Sequence, residues 1–195
     1  MTAPTVSTAP TVSTPTLPLG PGRWELDASH SGVLFTVRHL GLSNVRGRFG
    51  QFTANVDVGN TLDDVSVTAE VDLSSVDTNN ADRDAHLRST DFFDTDQHPA
   101  MTFRSTSITG AGEDYELQGD LTIAGVTKRV ILNVEFHGTE VFPGDQSTHA
   151  GFSATGQIRR SDFGIDFGIV AGEKILLSDK VKIELDLQFV SPHGA

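Results

Sequence analysis

The sequence predicts an all-β domain, an antiparallel barrel of eight strands with one short helix and an N-terminal tail. From Trp24 onward apolar and polar residues alternate with a period of two, which is typical of half-buried strands. Clusters of Gly and Asp separate the alternating runs, and a single short segment has helical features. One helix covers too little apolar surface, so the sheet must bury its apolar face against itself, as a barrel or a sandwich. The short links between successive strands favour an up-and-down barrel.

The chain starts with a segment that we expect to be disordered. Residues 1–22 carry no charged side chain, and the hexapeptide at 3–8 is repeated at 9–14, with Pro recurring between Thr and Ser. Such a segment buries too little apolar surface to offset the entropy of ordering it. We therefore divide the chain into a tail at 1–22, a barrel at 23–190 and a short C-terminal tail at 191–195.

The regular elements follow from the alternating runs. The strands are expected at 33–37, 52–58, 65–73, 101–103, 115–123, 130–136, 152–158 and 181–189. The helix is expected at 81–89, where Asn79 or Asn80 supplies the N-cap. Asp82 and Asp84 then lie in its first turn, where the helix dipole favours negative charge.

Composition excludes several classes of function. The chain of 195 residues has a formal net charge of −12 and no Cys, which excludes disulfides, thiolate metal sites and cysteine nucleophiles. An acidic domain is repelled by nucleic acids and by anionic lipid surfaces. The longest uncharged stretch is too polar to span a bilayer. A basic and then apolar leader is not seen at the N-terminus, so the expected location is cytoplasmic.

Several motifs in a fixed order add a family resemblance. They lie at 24–35, 37–40, 45–49, 78–87, 91–93, 98–103, 119–128 and 160–165, and include the sequences WELDASHSGVLF, TNNADRDAHL, HPAMTF and GDLTIAGVTK. Over residues 23–190 the chain resembles the YceI-like family of bacterial polyisoprenoid-binding proteins. The resemblance implies an extended, lipocalin-like barrel whose apolar interior holds a polyisoprenoid, an isoprenoid quinone, a fatty acid or a fatty amide. Many members of that family carry a signal peptide and work in the periplasm.

The candidate ligand-binding residues are the inward-facing side chains and those expected near the opening. The inward set comprises Val33, Phe35, Val37, Phe52, Val67, Met101, Phe103, Leu121 and Phe136. On sequence alone this set is either ordinary barrel core or the lining of a lipid tunnel. The set expected near the opening comprises Arg83, His86 and Arg160, which either contact a ligand headgroup or fasten the rim. Phe92 is expected in a lid beside the opening, and Phe163 and Phe167 are expected to be apolar plugs on a glycine-rich loop.

No catalytic residue, metal ligand or cofactor is assigned. The seven His show no metal-binding spacing, and a Gly-x-Ser-x-Gly nucleophile motif does not occur. The expected partner is a small lipid.

Two alternative functions remain open. An enzyme acting on a lipid or quinone in the same cavity requires titratable groups with shifted pKa values inside it. An interaction module with a dry core, dimerising through an exposed strand, requires that no ligand-sized cavity exists.

Overall fold

A computed structural model describes residues 17–168 and 176–191 and confirms the antiparallel barrel. The strands are β1 (Gly22–Leu26), β2 (Gly32–His39), β3 (Ser43–Phe49), β4 (Phe52–Val58), β5 (Ser66–Asp72), β6 (Val76–Asp77), β7 (Ala100–Ala111), β8 (Asp114–Ile123), β9 (Val126–Val141), β10 (Thr148–Arg159) and β11 (Leu177–Val190). The helix α1 spans Ala81–Arg88, with the side chain of Asn80 accepting from the Arg83 backbone N–H as its N-cap. The predicted helix is confirmed, one residue shorter.

The eleven strands form an eight-stranded, closed, up-and-down barrel, because three of its long strands are interrupted. β1 and β2 both pair with β11, at its two ends, and so act as one strand. The next barrel strand consists of β3, which pairs with β2, and β4, which pairs with β1. The one after it consists of β5, which pairs with β4, and β6, which pairs with β3. The β1–β11 pairing closes the ring. Each barrel strand therefore neighbours the strands that precede and follow it in sequence.

Two of the interruptions share a local cause. Asp27 accepts a hydrogen bond from the backbone N–H of Ser29, and Asp72 accepts one from the backbone N–H of Ser74. Each contact is an aspartate turn that favours a single 3₁₀ turn over a continued strand. These turns separate β1 from β2 and β5 from β6.

β7 is longer than predicted because a β-bulge interrupts its alternation. The register with β8 shifts between Ser105 and Ser107, so the inward positions change phase and the next buried residue is Ile108. A bulge leaves one extra residue without a ladder partner. Here the hydroxyl of Ser105 accepts a hydrogen bond from the Val67 backbone N–H at 2.8 Å.

One end of the barrel, which we call the closed end, is filled by residues from the start of the described chain. Leu19 is 8% exposed and Trp24 is 3% exposed, and both belong to the largest buried apolar cluster. The Trp24 indole N–H donates to the Gly20 carbonyl at 2.9 Å. Leu17 and Leu19 therefore pack on the barrel, although the sequence assigned them to the tail. The remainder of the predicted tail, residues 1–16, lies outside the described residues. Of the predicted C-terminal tail, only residue 191 is described.

Two inward glycines allow aromatic rings to lie flat against the sheet. A Cβ atom on Gly119 would lie 2.3 Å from the Phe103 ring, and one on Gly47 would lie 2.3 Å from the Phe35 ring. Both distances are far below van der Waals contact, so only glycine permits these ring positions. The rings therefore lie along the wall, and the centre of the barrel remains open.

Candidate functional site

An elongated cavity of about 660 Å³ runs through the barrel interior. It extends from Leu17 and Phe189 at the closed end to Ser43, Arg83 and Phe167 at the other end. These last three side chains are exposed to solvent while lining the cavity, and we call this end the mouth. The volume lies within the range of small-molecule sites. An interaction module with a dry core predicts no such cavity, so the cavity contradicts that alternative.

The wall of the cavity is overwhelmingly apolar, and the predicted inward residues form much of it. Those that line it are Val33, Phe35, Val37, Phe52, Val67, Met101, Phe103 and Leu121. Phe136 does not line it, because its ring packs against Phe152 with centroids 5.1 Å apart. Alternation assigned Phe136 to the correct face of β9, but Phe152 separates it from the open space.

The middle of the cavity has two small and two large residues side by side on neighbouring strands. Ala54, Ala69, Phe103 and Leu121 occupy paired positions on β4, β5, β7 and β8, and all four line the cavity. The two alanines leave space opposite the Phe103 ring. Sequence analysis missed Ala54 and Ala69 as lining residues, although their alternation with polar neighbours was a usable signal.

Polar lining groups are concentrated towards the mouth, where α1 crosses the barrel. The guanidinium of Arg83 donates from Nε to the Thr78 hydroxyl and from Nη2 to the Thr78 carbonyl, each at 2.7 Å. The Asp84 carboxylate in turn accepts from the Thr78 backbone N–H and hydroxyl. Arg83 therefore fastens the helix to the end of β6 while it also faces the cavity. Thr78 and Asp84 are both buried and were not predicted as site residues.

Replacing Asp84 with alanine is expected to lower the free energy of unfolding by about 2–3 kcal/mol, because Thr78 would keep buried polar groups without a partner. Urea denaturation measures this effect. Asp82 lies in the same first turn and is exposed, so Asp82→Ala is the matched control and should change stability by less than about 0.5 kcal/mol. Equal losses in the two variants would show that Asp84 does not hold the helix on the barrel.

An aromatic cluster borders the mouth and combines three predicted residues. His86 packs edge-on against Phe92 and Phe167, with ring centroids 5.0 and 4.8 Å apart, and Phe92 lies 5.3 Å from Phe167. Nε2 of His86 is 2.8 Å from a carboxylate oxygen of Asp91. All three rings line the cavity, so its mouth has an apolar rim with a polar group beside it.

Arg160 lines the cavity from a buried position and holds two chain segments together. Its guanidinium donates to four backbone carbonyls, those of Ile165, Phe167, Leu177 and Ser178, at 2.7–3.3 Å. Burial lowers the pKa of Arg160 from its usual value, and the charges of Asp179 and Asp166 oppose that shift. These contacts agree with the hypothesis that Arg160 fastens the rim of the cavity.

The two Asp-Phe-Gly-Ile units of the sequence have different surroundings. Phe163 is 2% exposed and packs with Ile165 against Leu121, Ile123 and Val130, so it is buried against β8 and β9. Phe167 is 43% exposed and belongs to the rim. We call residues 160–168 the plug segment. Gly164 and Gly168 both have positive φ, which allows the chain to reverse after each phenylalanine.

Metal binding finds no support in this arrangement. Within residues 17–168 and 176–191, no three His, Asp or Glu side chains converge on a common point. In the same part of the chain, no helix has the length and apolar character needed to cross a membrane.

Comparison with known proteins agrees with this architecture. Residues 24–189 match the model of the YceI-like domain. A UPF0312 protein of Staphylococcus epidermidis is 37% identical over 169 residues, which are 86% of this chain and 96% of the relative. A UPF0312 protein of Staphylococcus aureus is 37% identical over 84% of this chain and 94% of its own length.

Solved structures share the fold. The YCEI protein of Campylobacter jejuni superposes with a TM-score of 0.70 at 32% identity, over 80% of this chain and 90% of that protein. BcnA of Burkholderia cenocepacia gives 0.73 at 24% identity, over 84% and 98%. A polyisoprenoid binding domain of Saccharophagus degradans gives 0.63 at 19% identity, over 87% and 98%. The match of nearly the whole barrel to the domain model, together with these relatives, shows that the chain belongs to the YceI-like family.

Proposed function

We propose that this protein binds a single long-chain amphiphile, such as a polyisoprenoid, an isoprenoid quinone or a fatty acid, and holds it in the barrel. The observation that carries the proposal is the elongated apolar cavity, which is open at one end and closed by Leu19 and Trp24 at the other. Each methylene group moved from water into such a space contributes about 0.8 kcal/mol without directional bonds. A narrow apolar space therefore selects for chain length rather than for functional groups.

The distribution of polar groups gives the ligand an orientation. His39, Arg83 and His86 line the cavity towards the mouth, whereas the wall around Phe152 and Phe189 is apolar. An amphiphile with its tail at the closed end would keep its headgroup beside these side chains and water. The polyisoprenoid binding domain with the same fold supports this class of ligand.

Binding is favoured over catalysis by what the cavity-lining cations contact. The guanidinium groups of both cations donate hydrogen bonds to other parts of the protein. Arg83 donates to the hydroxyl and carbonyl of Thr78, and Arg160 donates to backbone carbonyls of the plug segment and β11. Groups engaged in this way hold the framework of the mouth. An arginine also stays protonated and so is a poor general acid or base.

The test is to identify what the protein carries. The full chain is purified from bacteria, extracted with organic solvent and analysed by mass spectrometry; the delipidated protein is then incubated with a polyprenol and, separately, with a fatty acid. We expect a chain-like lipid in the first extract or retention of at least one lipid after incubation. A clean extract in both cases would refute the proposal.

A further inference from the structure

The strongest feature not used by lipid binding is the turn that joins β2 and β3. Leu42, at this turn, is 81% exposed, and Leu40 is 43% exposed. His39 and Ser43 flank them and line the cavity, so the two leucines project directly beside the mouth. We call residues 39–43 the tip. Large exposed apolar side chains next to the opening of an apolar cavity indicate contact with another apolar phase.

The backbone of the tip is also unfavourable for the residue it contains. The Leu42 N–H donates to the His39 carbonyl at 2.9 Å, so Leu40 and Gly41 are the central residues of a tight turn, with φ values of 52° and 69°. Turns with positive φ at both central positions prefer Asn-Gly. A leucine in this conformation is disfavoured, and Leu40 nevertheless leaves 43% of its surface exposed. The unfavourable backbone conformation and the exposed apolar side chain thus belong to the same residue, Leu40.

Positive charge accompanies the tip, in contrast to the chain as a whole. Arg38 and Arg46 lie on the outer face of β2 and β3, one and three residues outside the tip, and both are exposed. Neither has a carboxylate within 4.0 Å among the residues that the structure describes. Lys180 on the neighbouring strand β11 is exposed as well. Apolar tips flanked by cations suit a bilayer that carries negative headgroups.

The net charge of −12 does not oppose such contact at close range. The acidic closed end lies a barrel length away, roughly 40 Å along β11, whereas surface charges are screened over about 8 Å. The nearest carboxylate is that of Asp179, which follows the Ser178 hydroxyl that accepts from the Arg38 backbone N–H, and it is engaged by the Arg159 guanidinium and the Ser161 backbone N–H. On the α1 side, Asp91 lies beside His86, and Asp82 is exposed. The cations therefore favour contact of the tip, rather than of α1, with the membrane.

We propose that the tip inserts Leu40 and Leu42 into an anionic lipid bilayer while Arg38 and Arg46 contact its headgroups, so that the cavity opens towards the membrane. This proposal rests on the proposed lipid binding and adds the surface from which the ligand is taken or to which it is delivered. Insertion places the apolar rim of the mouth, with Phe92 and Phe167, near the acyl chains. A long-chain lipid then passes between two apolar phases with little exposure to water.

Vesicle flotation tests the proposal with the full chain. The probes are phosphatidylcholine vesicles with and without about 30% phosphatidylglycerol. We expect wild-type protein to float with the anionic vesicles, and Leu42→Ser to bind them about tenfold more weakly. Arg38→Gln and Arg46→Gln should each weaken binding about fivefold. Added salt should reduce the difference in affinity between these variants and the wild type.

Val141→Ser is the matched control, because Val141 is 54% exposed on the hairpin at the closed end. It should bind anionic vesicles like the wild type. Equal binding by the Leu42 and Val141 variants, or background binding by folded wild-type protein, would overturn the proposal; the latter result is also what a protein partner at the tip would give. Failure of this inference is distinguishable from failure of lipid binding, because a protein that retains extracted lipid but ignores vesicles refutes only the docking surface.

Discussion

Replacing Arg160 with methionine is expected to lower the free energy of unfolding by about 3–5 kcal/mol, because several backbone carbonyls lose a hydrogen bond to a charged donor and each loss costs about 1–3 kcal/mol. Methionine fills a similar volume but donates no hydrogen bond, so the carbonyls of Phe167, Leu177 and Ser178 lose their partner. The plug segment then has little to hold it on β11. Phe163, which is 2% exposed, would become accessible to water when this segment detaches.

Two measurements separate global from local loss. Urea denaturation gives the unfolding free energy, and hydrogen exchange gives the protection of residues 160–168. Arg159→Met is the matched control, because Arg159 is exposed and its Nη1 lies as far as 3.5 Å from the Asp179 carboxylate. This substitution should lower the free energy of unfolding by less than about 1 kcal/mol. The interpretation would be wrong if both variants unfolded at the same urea concentration with wild-type protection of the plug segment.

Arg160 also shows where sequence reasoning reaches its limit. Its partners are backbone carbonyls, which are present in every residue and leave no pattern in the sequence. The doubled Asp-Phe-Gly-Ile motif predicted two equivalent plugs, but only Phe163 is buried. The difference arises because Phe163 packs against β8 and β9, whereas Phe167 lies at the rim next to His86. Tertiary position distinguishes identical local sequences.

The strands, in contrast, were predictable because a period of two depends only on which side of the sheet is buried. Seven of the eight predicted runs lie within a strand, and the run at 65–73 exceeds β5 by one residue at each end. The breaks in the long strands had a signal that alternation does not read, namely the Asp-x-Ser sequences at Asp27 and Asp72. The open cavity had no corresponding signal in the sequence. Alternation identifies the inward face, but whether opposite walls meet depends on barrel width and on small residues such as Ala69 and Gly119.

Replacing Phe103 with aspartate is expected to abolish retention of a long-chain lipid, with affinity lowered at least about a hundredfold. Phe103 lines the middle of the cavity and contacts both the closed-end cluster and the cluster around Leu121. A carboxyl group at this point would lie against the passing chain with apolar walls on all sides. Burial raises the pKa of such a group, so the neutral acid would form more readily, yet even that form needs hydrogen bonds the wall does not offer.

Because the aspartate also strains the fold, a second variant is needed. Ala69 is paired with Phe103 on the neighbouring strand and faces the same space, so Ala69→Phe fills the cavity with an apolar ring and introduces no polar group. It should exclude long chains while shorter fatty acids still enter from the mouth, and Phe103→Leu should bind nearly as the wild type does. Mass spectrometry of extracts and titration with fatty acids of graded length report these differences. If folded Ala69→Phe protein retained the wild-type lipid in full, the ligand would have to lie outside the barrel, because a chain of that length and a phenylalanine ring at position 69 compete for the same space.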